Sequence, residues 1–372
     1  MNHVRMLTAC TAALLTALLA GCKGFEPVKL EESQAAVHQE TVLVPEHTEK
    51  GRTTDVSLYG MMLDCMQHCE NTVHYPASVS KEEVRSTFIK LCADHPEIFW
   101  ITGMSSATGT DETTVQFTFL EGYSSDDLQN MYGKTVQSAE MIASMFAKNG
   151  TDYEKALAIH DFLVSNTVPD KSGGTFGISA TAYGCLVDRK ATGHGYAQAY
   201  LLIMHKLGIE AGMCDGTAGS AAQTWNYVKL DDAYYWLDPV FDDPIMQDGS
   251  QIVRHAYCFL PDSIFLTNRT LSPDNFYVPQ CTETACSYFV RNETYFTEYQ
   301  FEAVKKALAE QVKNGHAELM FADAETAAAA AADLFTNKNI WKVSGVDSKK
   351  TNVSYLLTDD THAMYISFTA KS

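Results

Sequence analysis

Residues 182–197 read Ala182-Tyr183-Gly184-Cys185-Leu186-Val187-Asp188-Arg189-Lys190-Ala191-Thr192-Gly193-His194-Gly195-Tyr196-Ala197, and a largely apolar run continues to Leu207 before Gly208. The pattern predicts a helix from about Gly195 to Leu207. Gly208 is its natural stop, because glycine takes the left-handed conformation of a helix end without a Cβ penalty. Two strand-like runs follow, Trp225 to Leu230 and Tyr234 to Leu237, separated by Asp231-Asp232-Ala233. That is a hairpin signal. With the turn centred near Leu230-Asp231, residues whose numbers sum to about 461 face each other across the pair, which sets Gln223 beside Asp238. Trp225 and Tyr227 fall on one face of the first strand and Asn226 and Val228 on the other, so core packing is the default reading of these rings. A helix packed on an antiparallel sheet makes the fold class α+β.

Three segments carry a family resemblance. They are the stretch quoted above, then Gly216-Thr217-Ala218-Gly219 with Gln223-Thr224-Trp225-Asn226-Tyr227-Val228, then Tyr235-Trp236-Leu237-Asp238-Pro239-Val240-Phe241-Asp242-Asp243-Pro244. In this order and spacing they resemble the transglutaminase-like superfamily over roughly residues 152–244. Where this chain has Gly193, the family has a Cys ahead of Glu-Gly-Tyr-Ala. Where it has Gln223, the family has the His of His-Ala-Trp-Asn. The resemblance implies a cysteine-protease-like core with small flanking α+β modules, and it implies acyl transfer by a Cys-His-Asp triad.

The physical logic of such a triad is plain. A Cys at a helix N-terminus gains thiolate character, a His takes its proton, and an Asp fixes the His. Here Gly193 has no side chain, Gln223 does not titrate, and only Asp238 is retained, so no catalytic residue is expected. Gln223 can still donate an amide hydrogen to Asp238. Gly193 at a helix start would leave a small cleft with exposed N–H groups suited to an anion. The chain then reads as an inactive binding or structural module: either Gly193, His194, Tyr196, Gln223, Trp225 and Asp238 are binding residues for a peptide, protein or cell-wall ligand, or the cleft has closed and only the fold is kept. The alternative is an active thiol-dependent transglutaminase or protease using a non-standard nucleophile such as Cys185. Cys185 and Cys214 as buried small hydrophobes is the blander reading. No cofactor or metal is expected.

The N-terminus reads as a targeting segment. Leu7 to Ala20 is apolar but short for a membrane span, and it ends in Leu19-Ala20-Gly21-Cys22. That ending resembles the bacterial lipobox and implies a lipid anchor on Cys22 of an exported protein facing outside the cytoplasm. The chain then divides into a signal peptide (1–21), a tether (22–55), an N-terminal α+β module (56–150), the transglutaminase-like core (151–245), an aromatic-rich extension (246–298) and a C-terminal module (299–372). Capping boxes at Ser80–Glu83 and Thr151–Glu154 predict helix starts. Phe99-Trp100-Ile101 and the alternation of Val115, Phe117 and Phe119 predict strands, and a helix is expected over about Ser125 to Lys148. His160 falls on a helical apolar stripe and reads as a satisfied core histidine. Cys65, His68 and Cys69 lie at helical spacing without a second Cys/His pair. Buried or disulfide-bonded cysteines are the simpler reading there.

The 372 residues are 46% apolar and 20% charged, with a formal net charge of −19. This is the composition of a globular chain with a sizeable core. The acidic balance excludes a phosphate-backbone binder, which needs clustered Lys and Arg.

Overall fold

The computed structural model describes residues 56–148, 150–171, 177–244 and 251–371. Residues 1–55, which the sequence suggests as a signal peptide and tether and which include Cys22, lie outside the described residues. Contacts group the chain into two units: residues 56–244 with 252–292 form one, and residues 293–371 form the bulk of the other. Among the described residues no helix is long and apolar enough to cross a membrane.

The first unit opens with α1 (Leu58–Gln67), β1 (Thr72–Tyr75), α2 (Lys81–Asp94), β2 (Ile101–Thr108) and β3 (Thr113–Phe119). The three strands form an antiparallel sheet in the order β1-β3-β2. Ser80 starts α2, its Oγ accepting from the Glu83 N–H at 3.1 Å. The strand expected at Phe99-Trp100-Ile101 begins only at Ile101. Phe99 and Trp100 are buried in the preceding turn, where their rings meet edge to face at 5.5 Å. Two adjacent inward-facing rings do not suit a strand, whose neighbouring side chains point to opposite faces.

Next come α3 (Ser125–Phe146), α4 (Asp152–Asn166), β4 (Val168–Pro169), α5 (Ala182–Leu186), β5 (Lys190–Ala191) and α6 (Gly193–Leu207). Thr151 and Glu154 close a full reciprocal capping box at α4. Helix α6 starts two residues earlier than its apolar periodicity suggests, with Thr192 as N-cap, and Gly208 ends it at φ 70°. Its residues from Gly195 to Met204 are all buried. A helix apolar on every side belongs inside a core.

A second antiparallel sheet carries β6 (Ala211–Ala218), β7 (Ala221–Leu230) and β8 (Ala233–Leu237). Beyond α7 (Asp262–Phe265), the short β9 (Arg269–Leu271) joins it, in the order β8-β7-β6-β9. The β7–β8 turn has only two residues, Asp231 and Asp232, both at positive φ (49° and 67°). That is the turn whose twist matches a hairpin. Ala233 therefore pairs with Leu230, and Asn226 with Leu237. The register is two residues away from the one expected from the sequence, which counted Ala233 as loop.

Asn226 locks α6 onto this sheet. Its buried amide donates to Ala197 O at 2.9 Å and to Gly212 O at 3.2 Å. Both faces of β7 are covered, since Trp225, Asn226 and Val228 are all buried. After α8 (Tyr288–Arg291), the second unit builds β10 (Tyr295–Phe296), α9 (Phe301–Gln311), β11 (His316–Phe321), α10 (Ala324–Ala331), β12 (Thr351–Leu357) and β13 (Ala363–Ala370). Its sheet runs β10-β11-β13-β12, with only β10–β11 parallel.

A strap at residues 178–181 crosses the start of α6. A Cβ on Gly195 would lie 2.5 Å from Ser179 O and 2.9 Å from Thr181 O, both rigid backbone atoms. Gly195→Ala should therefore destabilise the protein by about 1–3 kcal/mol in denaturant unfolding, despite alanine's better helix propensity. A neutral or stabilising result would mean that the strap does not hold this close approach.

Candidate functional site

Gly193 is the first residue of α6, and Gln223 lies on β7 opposite Gly216. Asp238 follows the last residue of β8. Continued one step, the β7–β8 register sets Asp238 opposite Trp225, with Gln223 two residues further along. Diagonal neighbours of this kind lie about 7–8 Å apart, within reach of a long side chain. Gln223 spans the gap: its Nε2 donates to both Asp238 oxygens, at 3.1 Å each. The contact expected from the sequence is made, through a different register.

The space above Gly193 is not the small cleft expected. A Cβ on Gly193 would lie 2.5 Å from Gln223 Oε1 and 2.6 Å from its Nε2. The Gln223 amide thus fills the place where a side chain on residue 193 would begin. Glycine is the residue that lets Gln223 reach Asp238 past the helix start.

Asp238 has a second partner that sequence reasoning missed. Arg269 Nη2 lies 3.1 Å from Asp238 Oδ2, and both side chains are buried. The guanidinium is also enclosed by rings, 4.2 Å from the Phe265 centroid, 4.6 Å from Tyr257 and 4.8 Å from Phe241. Burial pushes the Asp238 carboxyl up from the usual carboxylate range, and the charge of Arg269 and the hydrogen bonds from Gln223 and Arg269 pull it back only in part. Arg269 lies 31 residues from Asp238, in the aromatic-rich stretch after Pro244. The only sequence signal was an arginine among aromatic residues.

The other candidates separate. His194 Nδ1 lies 2.8 Å from Ala180 O, which holds the ring against the strap. Tyr196 is buried, and its hydroxyl donates to Thr167 O at 2.9 Å and Asp243 Oδ2 at 2.5 Å. Trp225 is buried against Phe265, with ring centroids 5.8 Å apart. Tyr196 and Trp225 therefore face the core and are not walls of a groove. Cys185 is fully buried beside Thr167, and burial pushes its thiol up to about 12. No disulfide joins any two of the eight cysteines of the described residues. Cys65 Sγ donates to Glu70 O, and Cys69 Sγ accepts from Gln129.

Gly193, His194 and Gln223 line one end of a cleft of about 990 Å³. Its walls are α2, with Arg85 and Phe88, and β2, with Met104 and Ser105. Phe276 lines it as well, and Arg85 pairs with Asp274 at 2.5 Å, tying α2 to the segment after β9.

The chain matches no family model and no curated protein. Among solved structures it is similar to a Cytophaga hutchinsonii protein described as a cysteine protease (13% identity, TM-score 0.27), over 45% of this chain and 65% of that one. It is also similar to a protein described as a TGase (11%, 0.27), over 45% and 50%. A third is a Parabacteroides distasonis protein described as a protease (11%, 0.28), over 68% and 50%. The chain thus spans between half and two-thirds of each of these structures. The α+β architecture itself is read from the elements and their packing.

Because Gly193 and Gln223 share one space, their substitutions should be coupled. Gly193→Ala should cost about 1–3 kcal/mol, the value of hydrogen bonds to a charged group, by pushing Gln223 off Asp238. In a Gln223→Ala background the same change should cost at least about 1 kcal/mol less. Strictly additive unfolding free energies would show that the two residues do not compete.

Proposed function

We propose that this chain is an exported, lipid-anchored member of the transglutaminase-like superfamily that has lost acyl transfer and uses the cleft between α2, β2 and the start of α6 to bind an extended peptide. One observation carries the loss of chemistry: the Gln223 amide occupies the nucleophile's place and bonds both oxygens of the retained acid. Neither a thiolate nor an imidazole stands where the reaction needs one. Removing such members leaves at most a residual acceleration of about 10³–10⁴ over water, as judged from serine proteases.

The peptide reading rests on the cleft. Strand β2 is the edge of its sheet, and Thr102, Met104, Ser105 and Ser106 along it all line the cavity. An edge strand offers backbone groups to an added strand, and flanking pockets then read alternate side chains. Phe88 and Phe276 supply apolar walls and Asp215 a polar one. The lipid anchor on Cys22 rests on the Leu-Ala-Gly-Cys ending of a short apolar leader. A thiol enzyme using Cys185 is disfavoured, since a buried thiol raised to about 12 has little thiolate at neutral pH.

The test titrates the full chain with a set of extended hexapeptides and cell-wall peptides by calorimetry. The plugs go on exposed cleft positions, Ser105→Trp and Ala222→Trp, because Gly193 has no spare room. Binding should weaken at least about tenfold in either plug, a loss of about 1.4 kcal/mol. Amine incorporation into a glutamine peptide should be absent, and Cys185 should escape iodoacetamide at pH 7. Peptide binding indifferent to both plugs would remove the groove, and rapid labelling of Cys185 would restore the enzyme reading.

A further inference from the structure

A second polar cluster lies in the same unit, formed by residues that the cleft and its triad remnant do not use. His160 and Asp161 are adjacent on α4, and His255 comes from the segment after Pro244. One carboxylate oxygen joins them. His160 Nδ1 lies 3.0 Å from Asp161 Oδ1, and His255 Nε2 lies 3.0 Å from the same atom. All three donor atoms lie within 4.8 Å of one another.

We propose that His160, Asp161 and His255 form a binding site for a first-row divalent cation of the zinc class. Two imidazoles and one carboxylate on one side of an ion are a known ligand set, with the remaining positions open to water. Ligands about 2.0–2.2 Å from such an ion and about 90° apart are themselves about 3 Å apart. The two short edges of the cluster already have that length. The third, within 4.8 Å, needs to close by up to about 1.8 Å, a side-chain adjustment.

The surroundings are those of a built site. The far nitrogen of His160, Nε2, lies 3.2 Å from Asp242 Oδ2, in the carboxylate–histidine arrangement that orients a ligating ring. Asp242 is itself held by the Tyr257 N–H, at 3.2 and 3.1 Å to its two oxygens. The His255 ring stacks on Tyr288 at 3.7 Å and 5°. Both rings are thus fixed before an ion arrives. The histidines are buried, while the Asp161 side chain keeps 30% exposure and gives the ion a way in. On binding, the ion takes the Nδ1 lone pair of His160 and the Nε2 lone pair of His255, and the protons they carry in the hydrogen-bonded state leave to solvent.

The experiment is a zinc titration of the full, chelator-treated chain at pH 7.5 against a chromogenic competitor. One equivalent should bind with a Kd below about 1 µM. Asp161→Asn and His255→Gln should each weaken binding at least 100-fold, and Asp242→Asn by about 10–100-fold. His68→Ala should leave it unchanged, separating this site from Cys65 and Cys69. Circular dichroism checks each fold, and the partly exposed Asp161→Asn decides if His255→Gln does not fold. Absence of stoichiometric zinc binding overturns the site, as does binding that Asp161→Asn leaves intact or that His68→Ala abolishes.

Discussion

One buried carboxylate organises the corner where α6 meets the sheet. Asp238 is fully enclosed, and an enclosed charge needs partners, because losing one costs on the order of 3–5 kcal/mol. Arg269 supplies the opposite charge and Gln223 the hydrogen bonds. Arg269 is held in turn by a box of aromatic rings, so β9 and α7 are pinned to the end of β8. Gln223 reaches Asp238 only by crossing the start of α6, and that crossing requires the absence of a side chain at residue 193. The glycine and the glutamine are therefore consequences of one arrangement, which answers the need of a buried acid for hydrogen bonds.

A glycine at a helix start suggests an opening. In three dimensions Gly193 marks a place already taken, by the Gln223 amide. The cleft that Gly193 and Gln223 help to line extends along β2 and α2, where an edge strand is at hand.

Much of the fold was legible because it depends on local rules. Thr151 and Glu154 mark a helix start, and Gly208 marks an end, through backbone hydrogen bonds that a few residues decide. The hairpin was visible in its apolar runs, but its register hung on one residue, Ala233, which has the propensity of neither turn nor strand. The positive φ of Asp231 and Asp232 settles that question and leaves little trace in the sequence. Arg269 and His255 were illegible for a different reason. Each acts on a partner 31 or 94 residues away, through contacts that exist only once the segment after Pro244 has folded back onto the core. Phe99 and Trp100 misled because two adjacent large apolar residues fit a buried turn as well as a strand.

The architecture of this corner rests mostly on atoms other than those that meet at Asp238. Asn226 ties α6 to the sheet by donating to two backbone carbonyls, and Gly195 admits the 178–181 strap. The rest is burial, from Tyr196 through Met204 along one helix and from Trp225 to Val228 along one strand. None of these contacts involves a thiol or an imidazole. A nucleophile and a base contribute reactivity at the rim of such a core but little of its cohesion, since a cysteine buries small area and a histidine beside an acid costs desolvation. The Gln223 amide supplies hydrogen bonds to Asp238 and does not titrate at neutral pH, and the room it needs is the room that Gly193 leaves.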